Sequence, residues 1–219
     1  MMKKILSLAT AALLLAGSLI SCGGKTGGSS DTIKIGGVGP TTGGAASYGT
    51  SVKNGASLAV KEINDAGGVN GLKLELSFED DENDPEKAVN AYNKLKDSGM
   101  QILMGTVTST PCKAVKDNAH DDNMFLLTPS GSAVECTKYD NAFRICFNDP
   151  DQGTASARYI KENSLATKVA AVYDSSDVYS SGIYEKFAAE CKAEGIERSS
   201  RARRSLQITS PTSRLRFRR

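Results

Sequence analysis

The chain of 219 residues contains no tryptophan and a single histidine, His120, and its other aromatic residues are seven Tyr and six Phe. One imidazole leaves a histidine dyad without a partner, and none of the five cysteines stands in a CxxC or Cys/His spacing. Zinc chemistry and His-assisted nucleophilic catalysis therefore lack their residues. Acid is missing from both ends. Residues 1–30 carry Lys3, Lys4 and Lys25 and no acid, while residues 198–219 carry eight Arg and neither acid nor Lys. All 25 acids fall in residues 31–197, beside sixteen bases, so a formal net charge of +2 conceals an acidic body. With 39% hydrophobic and 24% charged residues the chain has globular composition, which excludes collagenous, mucin-like and wholly disordered classes.

What the N-terminal end does contain is a short leader. Lys3 and Lys4 precede the uncharged apolar stretch Ile5 to Ile20, and small residues lead into Leu19-Ile20-Ser21-Cys22. The stretch is too short, and too soon followed by Gly and Ser, for a comfortable spanning helix. It resembles a bacterial lipoprotein signal, with residues 1–21 removed and Cys22 lipid-modified; an uncleaved anchor is the weaker alternative. Residues 22–31 then serve as a flexible Gly/Ser tether at a membrane surface, with the body outside the cytoplasm. Setting Cys22 aside leaves Cys112, Cys136, Cys146 and Cys191. An exported compartment can oxidise them in any of three complete pairings, and buried free thiols are the equal alternative.

From Thr32 onward strands and helices alternate. Ile33 to Val38 reads as a strand, followed by a helix with Val52, Ala56, Ala59, Val60 and Ile63 at helical spacing, closed by Gly67-Gly68. Leu72, Leu74, Leu76 and Phe78 alternate as a strand. Asp84 then suits an N-cap and Pro85 a first helical position, opening a helix with Ala88, Val89, Tyr92 and Leu95. Further strands are expected at Ile102 to Gly105, Met124 to Leu127 and Phe143 to Phe147, with a helix over Cys112 to Asp122. Units of about thirty residues with this alternation are the βαβ pattern of a parallel α/β sheet. Asn148-Asp149-Pro150-Asp151 reads as a turn crossing to a second series: helix Gln152 to Asn163, strand Lys168 to Tyr173, helix Tyr179 to Glu194.

Two tempting motifs fail on spacing. Gly37-Val38-Gly39 with Gly43 misses the G-x-G-x-x-G of a dinucleotide loop. Glu79 to Asp84 lacks the sixth-position Gly and the terminal Glu of a calcium loop. Neither a cofactor nor a metal is expected. The strand ends instead offer hydroxyls: Thr108, Ser109 and Thr110 after the third strand, and Thr128, Ser130 and Ser132 after the fourth. Carboxyl ends of parallel strands are where open α/β sheets take small ligands. Hydroxyls and backbone N–H groups at a helix start suit an anionic group such as a carboxylate, although capping alone explains any single Ser. No base or nucleophile partner accompanies them, which favours holding a molecule over transforming it.

These residues also carry a resemblance. Gly39-Pro40-Thr41-Thr42-Gly43, Tyr48-Gly49, Asn54-Gly55-Ala56 and Ile63 to Gly71 occur in the order of the branched-chain amino-acid-binding proteins of ABC importers. So do Asp84-Pro85, Thr128-Pro129-Ser130 and Asp151-Gln152-Gly153, and the likeness runs from about Ile33 to Glu197. It implies a periplasmic binding protein type I fold of two flavodoxin-like lobes with parallel sheets that close on a ligand, with lobe I over residues 32–148 and a partial lobe II over residues 149–197. It implies that the Ser109 hydroxyl and N–H meet a ligand carboxylate, with Thr110 beside it, and that Ser130 and Ser132 help to grip the ammonium and carboxylate. Tyr48 and Tyr179 are the implied aromatic contacts from the two lobes. The expected ligand is Leu, Ile, Val or a related aliphatic amino acid, and the expected partners are an ABC permease and ATPase, with a membrane reached through the lipid anchor. A binding module for amides or amino acids coupled to a membrane receptor is the alternative.

The resemblance covers roughly the first half of such a protein, and the acid that completes the family's ammonium site is not reached. Residues 198–219 match nothing in it, and eight Arg in a chain that otherwise prefers Lys suggest a reading-frame slip. Read one frame away, residues 205–213 admit codons for Asn-Lys-Ser-Asp-Phe, similar to what the family has after its next strand. A nucleic-acid-binding arm is not the expected role of that tail. A chain with so little of its second lobe is expected to be weakly stable and to bind ligand poorly.

Overall fold

The computed structural model describes residues 32–203, with side chains through residue 199. The expected signal peptide, Cys22, the tether and the tail beyond residue 203 lie outside the described residues. In chain order the elements are β1 (Thr32–Gly39), α1 (Ala46–Asp65), β2 (Lys73–Asp80), α2 (Pro85–Asp97), β3 (Ile102–Gly105), α3 (Ser109–Asp121), β4 (Phe125–Thr128), a 3-10 turn (Val134–Thr137), β5 (Ala142–Arg144), α4 (Asp149–Glu162), β6 (Lys168–Asp174), α5 (Val178–Ala193) and β7 (Glu197–Arg203).

Five strands form one sheet in the order β2-β1-β3-β4-β5, every neighbouring pair parallel. This is the flavodoxin-like order, in which the winding of successive strands switches sides between β1 and β3 and opens a crevice at the carboxyl ends of those strands. Each parallel pair needs a crossover, and the βαβ units supply it. A second parallel pair, β6 and β7, follows. The strand Glu197–Arg203 thus lies across the boundary at residue 197 where the family likeness was expected to end.

The sheet forms where alternation predicts it. In β2, Leu74, Leu76 and Phe78 are half-buried while Lys73, Glu75 and Ser77 face water. The central strands are more apolar, and Val38, Leu103 and Leu126 are completely buried. Helix α2 starts at the expected place because the Asp84 carboxylate accepts from the N–H groups of Glu86 and Lys87, both at 2.9 Å. Its spacing then turns Ala88, Ala91, Tyr92 and Leu95 onto the sheet. Burying a residue such as Leu95 contributes about 1.5–3 kcal/mol. Together with Met100, Cys112, Val115, Ala119, Ala133, Cys136 and Ala142 these residues make the main core.

Four expectations about elements change. The strand expected at Phe143 to Phe147 is only Ala142–Arg144, and Ile145 and Phe147 are exposed. Ala59 and Ile63 of α1 remain exposed, because that helix covers only β1 and the edge strand β2. Helix α3 begins at Ser109, three residues ahead of Cys112, so the hydroxyl cluster is its first turn. The segment Asn148 to Asp151 is a helix start rather than a free turn: Asn148 caps α4 by accepting from Asp151 N–H at 3.0 Å, with Pro150 in the first turn. Turn-forming residues and helix-starting residues are the same types, since both use a side-chain oxygen to satisfy backbone N–H groups.

Helices α4 and α5 meet at Gly153. A Cβ there would stand 2.4 Å from the Ile183 carbonyl and 2.8 Å from the Phe187 nitrogen, so only glycine permits this approach. Ala157, Cys191 and Ile196 form a small second core, flanked by Ile160, Val169 and Phe187. No helix of the described residues is long and apolar enough to cross a membrane.

Candidate functional site

Residues 32–203 belong to one compact unit, and at the carboxyl ends of β1, β3 and β4 it contains a cleft of about 390 Å³. Tyr48, Ser109, Ser130, Ser132 and Tyr179 line it together, brought there from the start of α1, the start of α3, the loop after β4 and the start of α5. Thr110 does not line it.

The floor is built by hydroxyls that tie the β3 and β4 loops to each other. Thr128 Oγ1 donates to the Thr106 carbonyl at 2.7 Å and accepts from Gly131 N–H at 2.8 Å. Ser130 Oγ donates to the Val107 carbonyl at 2.6 Å. Ser109 Oγ accepts from the N–H groups of Ser132 and Ala133, both at 3.2 Å. Arg144 completes the brace from below, its guanidinium donating to the carbonyls of Ser132 and Ala133 at 3.1 and 3.0 Å. Acceptance by Ser109 leaves its own hydroxyl proton free to donate. The Ser130 hydroxyl is already engaged, so its free contribution is the backbone carbonyl.

Some buried polar groups in and beside this floor have no partner. Thr108 Oγ1 is buried, lines the cleft and makes no hydrogen bond, although Thr108 occupies the N-cap position of α3. A buried hydroxyl without a partner costs about 1–3 kcal/mol, which a ligand oxygen or nitrogen can recover. Ser132 Oγ also forms no well-aligned hydrogen bond. It does lie close enough to the buried Asp149 carboxyl to oppose the rise that burial forces on that group, as does Arg144. Asp149 sits in the first turn of α4, its side chain pressed against Gly182 of α5 and its N–H donating to the Ser132 carbonyl at 3.0 Å.

The rim is apolar and acidic. Tyr48 is 65% and Phe147 62% exposed, the profile of rings that face a solvent-filled cleft rather than a core. Asp177, at the N-cap of α5, accepts from Ser180 N–H at 2.9 Å and places a carboxylate in the cleft. The loop that leads into α1 and Tyr48 is fastened by Asp80, which accepts from Thr41 N–H at 2.8 Å and Thr42 Oγ1 at 2.6 Å. Burial opposes ionisation of Asp80, but those bonds and one from Glu82 N–H outweigh it and hold the carboxyl well below the usual range. This acid is therefore a loop anchor. Its neighbour Asp81 is fully buried with one oxygen unpartnered, and burial pushes it up to about 6. Among the described residues no group of three or more His, Cys, Asp or Glu could hold a metal ion.

Val107, Thr108, Cys146, Phe147 and Asp177 line the cleft without having been singled out as ligand contacts by the sequence. Thr108 belonged to a noticed hydroxyl cluster. The others come from loops whose meeting depends on the tertiary fold.

Residues 32–215 match the family model described as periplasmic binding protein. Over 166 residues the chain is 37% identical to a Leu/Ile/Val-binding protein of Rhizobium johnstonii, covering 75% of this chain and 45% of that one. It is 36% identical over 169 residues to a leucine-, isoleucine-, valine-, threonine- and alanine-binding protein of Pseudomonas aeruginosa, covering 76% and 45%. Among solved structures, a branched-chain amino acid transporter substrate-binding protein of Streptococcus pneumoniae, in complex with isoleucine, superimposes with a TM-score of 0.73 at 29% identity, covering 83% of this chain and 52% of that one. A leucine-binding protein of Thermotoga maritima gives 0.74 at 26% identity, covering 80% and 50%. The chain thus spans about half the length of the relatives it matches. The matched span takes in the five-stranded sheet, both helical crossings to β7 and every residue of the cleft, and on that ground the chain belongs to the periplasmic binding protein family, with its type I α/β fold.

Proposed function

We propose that this chain captures an aliphatic amino acid, of the leucine, isoleucine or valine class, outside the cytoplasm for an ABC importer. The ligand is held as a zwitterion and leaves unchanged. Its carboxylate takes the Ser109 hydroxyl, the Thr108 hydroxyl and backbone N–H groups at the start of α3, where the helix dipole favours negative charge. Its ammonium takes the Ser130 carbonyl and the Asp177 carboxylate, with Ser132 between the two ends. Tyr48, Phe147 and Tyr179 cover the aliphatic side chain. Thr110 supports the helix start from outside the cleft.

The observation that carries this reading is the meeting of Ser109, Ser130 and Ser132, from two strand-end loops, with the exposed rings of Tyr48, Phe147 and Tyr179 in one cleft whose Thr108 carries a buried, unpartnered hydroxyl. Delivery to a permease and its ATPase, the lipid anchor at Cys22 and the membrane it reaches belong to the same proposal.

Titration calorimetry of the full chain with leucine, isoleucine and valine, and with isopentylamine as the leucine analogue lacking a carboxylate, tests it. Saturable binding of leucine, weak at a dissociation constant of about 1 mM because Asp177 and Tyr179 are the cleft's few second-side contacts, is expected. The amine should give no saturation. Equal affinity for leucine and the amine, or no binding of any of the three amino acids, removes the proposal.

A further inference from the structure

Beneath the cleft floor lie two thiols that the binding reading does not use. Cys112, in the first turn of α3, and Cys136, in the 3-10 turn, are both completely buried in the main core. They flank one point of backbone: a Cβ added at Gly131 would stand 3.3 Å from Cys136 Sγ and 3.4 Å from Cys112 Cβ. The Cys136 thiol lies 4.0 Å from the Ser109 carbonyl. Cys191 belongs to the second core, and Cys146 is half-buried at the cleft wall.

We propose that Cys112 and Cys136 are a disulfide-forming pair, closing a covalent loop that fastens the start of α3 to the loop after β4. Cys112 stands three residues after Ser109, and Cys136 three residues after Ala133, whose N–H donates to Ser109 Oγ. The bond would therefore make permanent the same junction that the Ser109 hydroxyl makes reversibly. It would fix the two halves of the cleft floor before a ligand arrives.

The two thiols already interact. A hydrogen bond from Cys136 holds the Cys112 thiol below its ordinary range against burial, while the same bond and burial push Cys136 far up. Either thiol, as its thiolate, can begin the exchange, and Cys112 serves as the first attacker. Its thiolate attacks a disulfide of the exported compartment, small-molecule or protein, and displaces one thiol. The Cys136 thiolate then attacks the sulfur of Cys112 in the mixed disulfide and displaces the second. Two protons and two electrons leave the pair, and the oxidant departs as two thiols. Because both sulfurs are sealed in the finished fold, exchange takes place while the loop after β4 is still open, and the completed bond resists reductant.

In the cell the pairing rests on the extracytoplasmic reading, but its geometry is testable without it. The full chain is refolded in a buffer of oxidised and reduced glutathione, blocked with an alkylating reagent under denaturing conditions, and mapped by mass spectrometry after trypsin. Lysine and arginine positions place Cys112, Cys136, Cys146 and Cys191 on four different peptides. Linkage of the Cys112 and Cys136 peptides is expected, with Cys146 and Cys191 alkylated. The linked protein should lose roughly 5–15 °C of thermal midpoint in Cys112→Ser or Cys136→Ser, and none in Cys191→Ser. Alkylation of both Cys112 and Cys136, or linkage of either to Cys146, overturns the pairing. Mapping the chain recovered from an exporting cell reports on the compartment separately: free thiols there with a linked pair in glutathione would count against export and leave the pair standing.

Discussion

The two sheets of this chain are built on the same βαβ plan and differ in what covers them. The five-stranded sheet buries a cluster of fourteen residues between β1, β3, β4 and their helices, with Tyr92, Leu103 and Leu126 fully enclosed. Among the described residues the small core over the β6–β7 pair has three buried residues, Ala157, Cys191 and Ile196, and Val172 on β6 is 54% exposed. Burial scales with the number of layers a sheet can recruit, and a pair of strands has little surface to offer. The cleft straddles the unequal pair: its hydroxyl floor belongs to the large sheet and Asp177 and Tyr179 to the small one. A rigid floor and a loosely held wall follow from that division.

The largest expected break comes from the core. Leu126→Ala should cost about 3–4 kcal/mol in denaturant unfolding, and Ile196→Ala at the small sheet about half as much. Equal losses would show that the two regions form one cooperative core. Hydrogen exchange sharpens the same point: amides of α5 and β6 should exchange well before those of β3 and β4, and simultaneous exchange would remove the distinction.

Next is the pH dependence of the acid pair after β2. Asp81, raised to about 6, binds its proton more tightly in the folded chain than in the unfolded one. Its contribution therefore favours folding at low pH and is lost as pH rises from about 4 through about 6. Asp81→Asn should stabilise the chain at pH 7 by about 1–2 kcal/mol and leave it nearly unchanged at pH 4. Asp80 has the opposite linkage, since its depressed carboxyl contributes stability that disappears as pH falls below the ordinary carboxylate range. An Asp81→Asn chain whose stability gain is independent of pH would show that burial is not what perturbs this group.

Helix caps give a smaller and more local contrast. Asp84→Ala and Asp177→Ala each remove a side-chain acceptor from a helix N-terminus and should cost about 1 kcal/mol. The first should appear in global unfolding and the second chiefly as faster exchange in α5. The smallest effect is expected at the exposed Lys61–Asp65 pair on α1, where Lys61→Ala should change stability by less than about 0.5 kcal/mol. A larger loss would mean that α1 depends on its surface charges more than on its half-covered apolar face.

Much of the large sheet was legible in residue order. Alternation gave β2, and Asp84-Pro85 gave the start of α2, because these signals act between neighbours along the chain. The start of α4 was hidden, since Asn148 to Asp151 serves a turn and a helix cap equally well. At the cleft, the hydroxyl clusters of residues 108–110 and 128–132 were visible at strand ends. That Ser109 is a knot between two loops and Ser130 is already engaged was not, because both facts depend on partners more than twenty residues away. The local roles of Asp177, a helix cap, and of Phe147, beyond a strand end, say nothing of the cleft that both reach.

The glycine contact at Gly153 has a mechanical consequence. Backbone approaches backbone there, with only the Lys186 Cβ beside it, so any larger residue at position 153 would push α4 and α5 apart. The two helices start side by side, with Asp149 against Gly182, so the end of the pair that Asn148 caps is also the end that presents Asp177 and Tyr179 to the cleft.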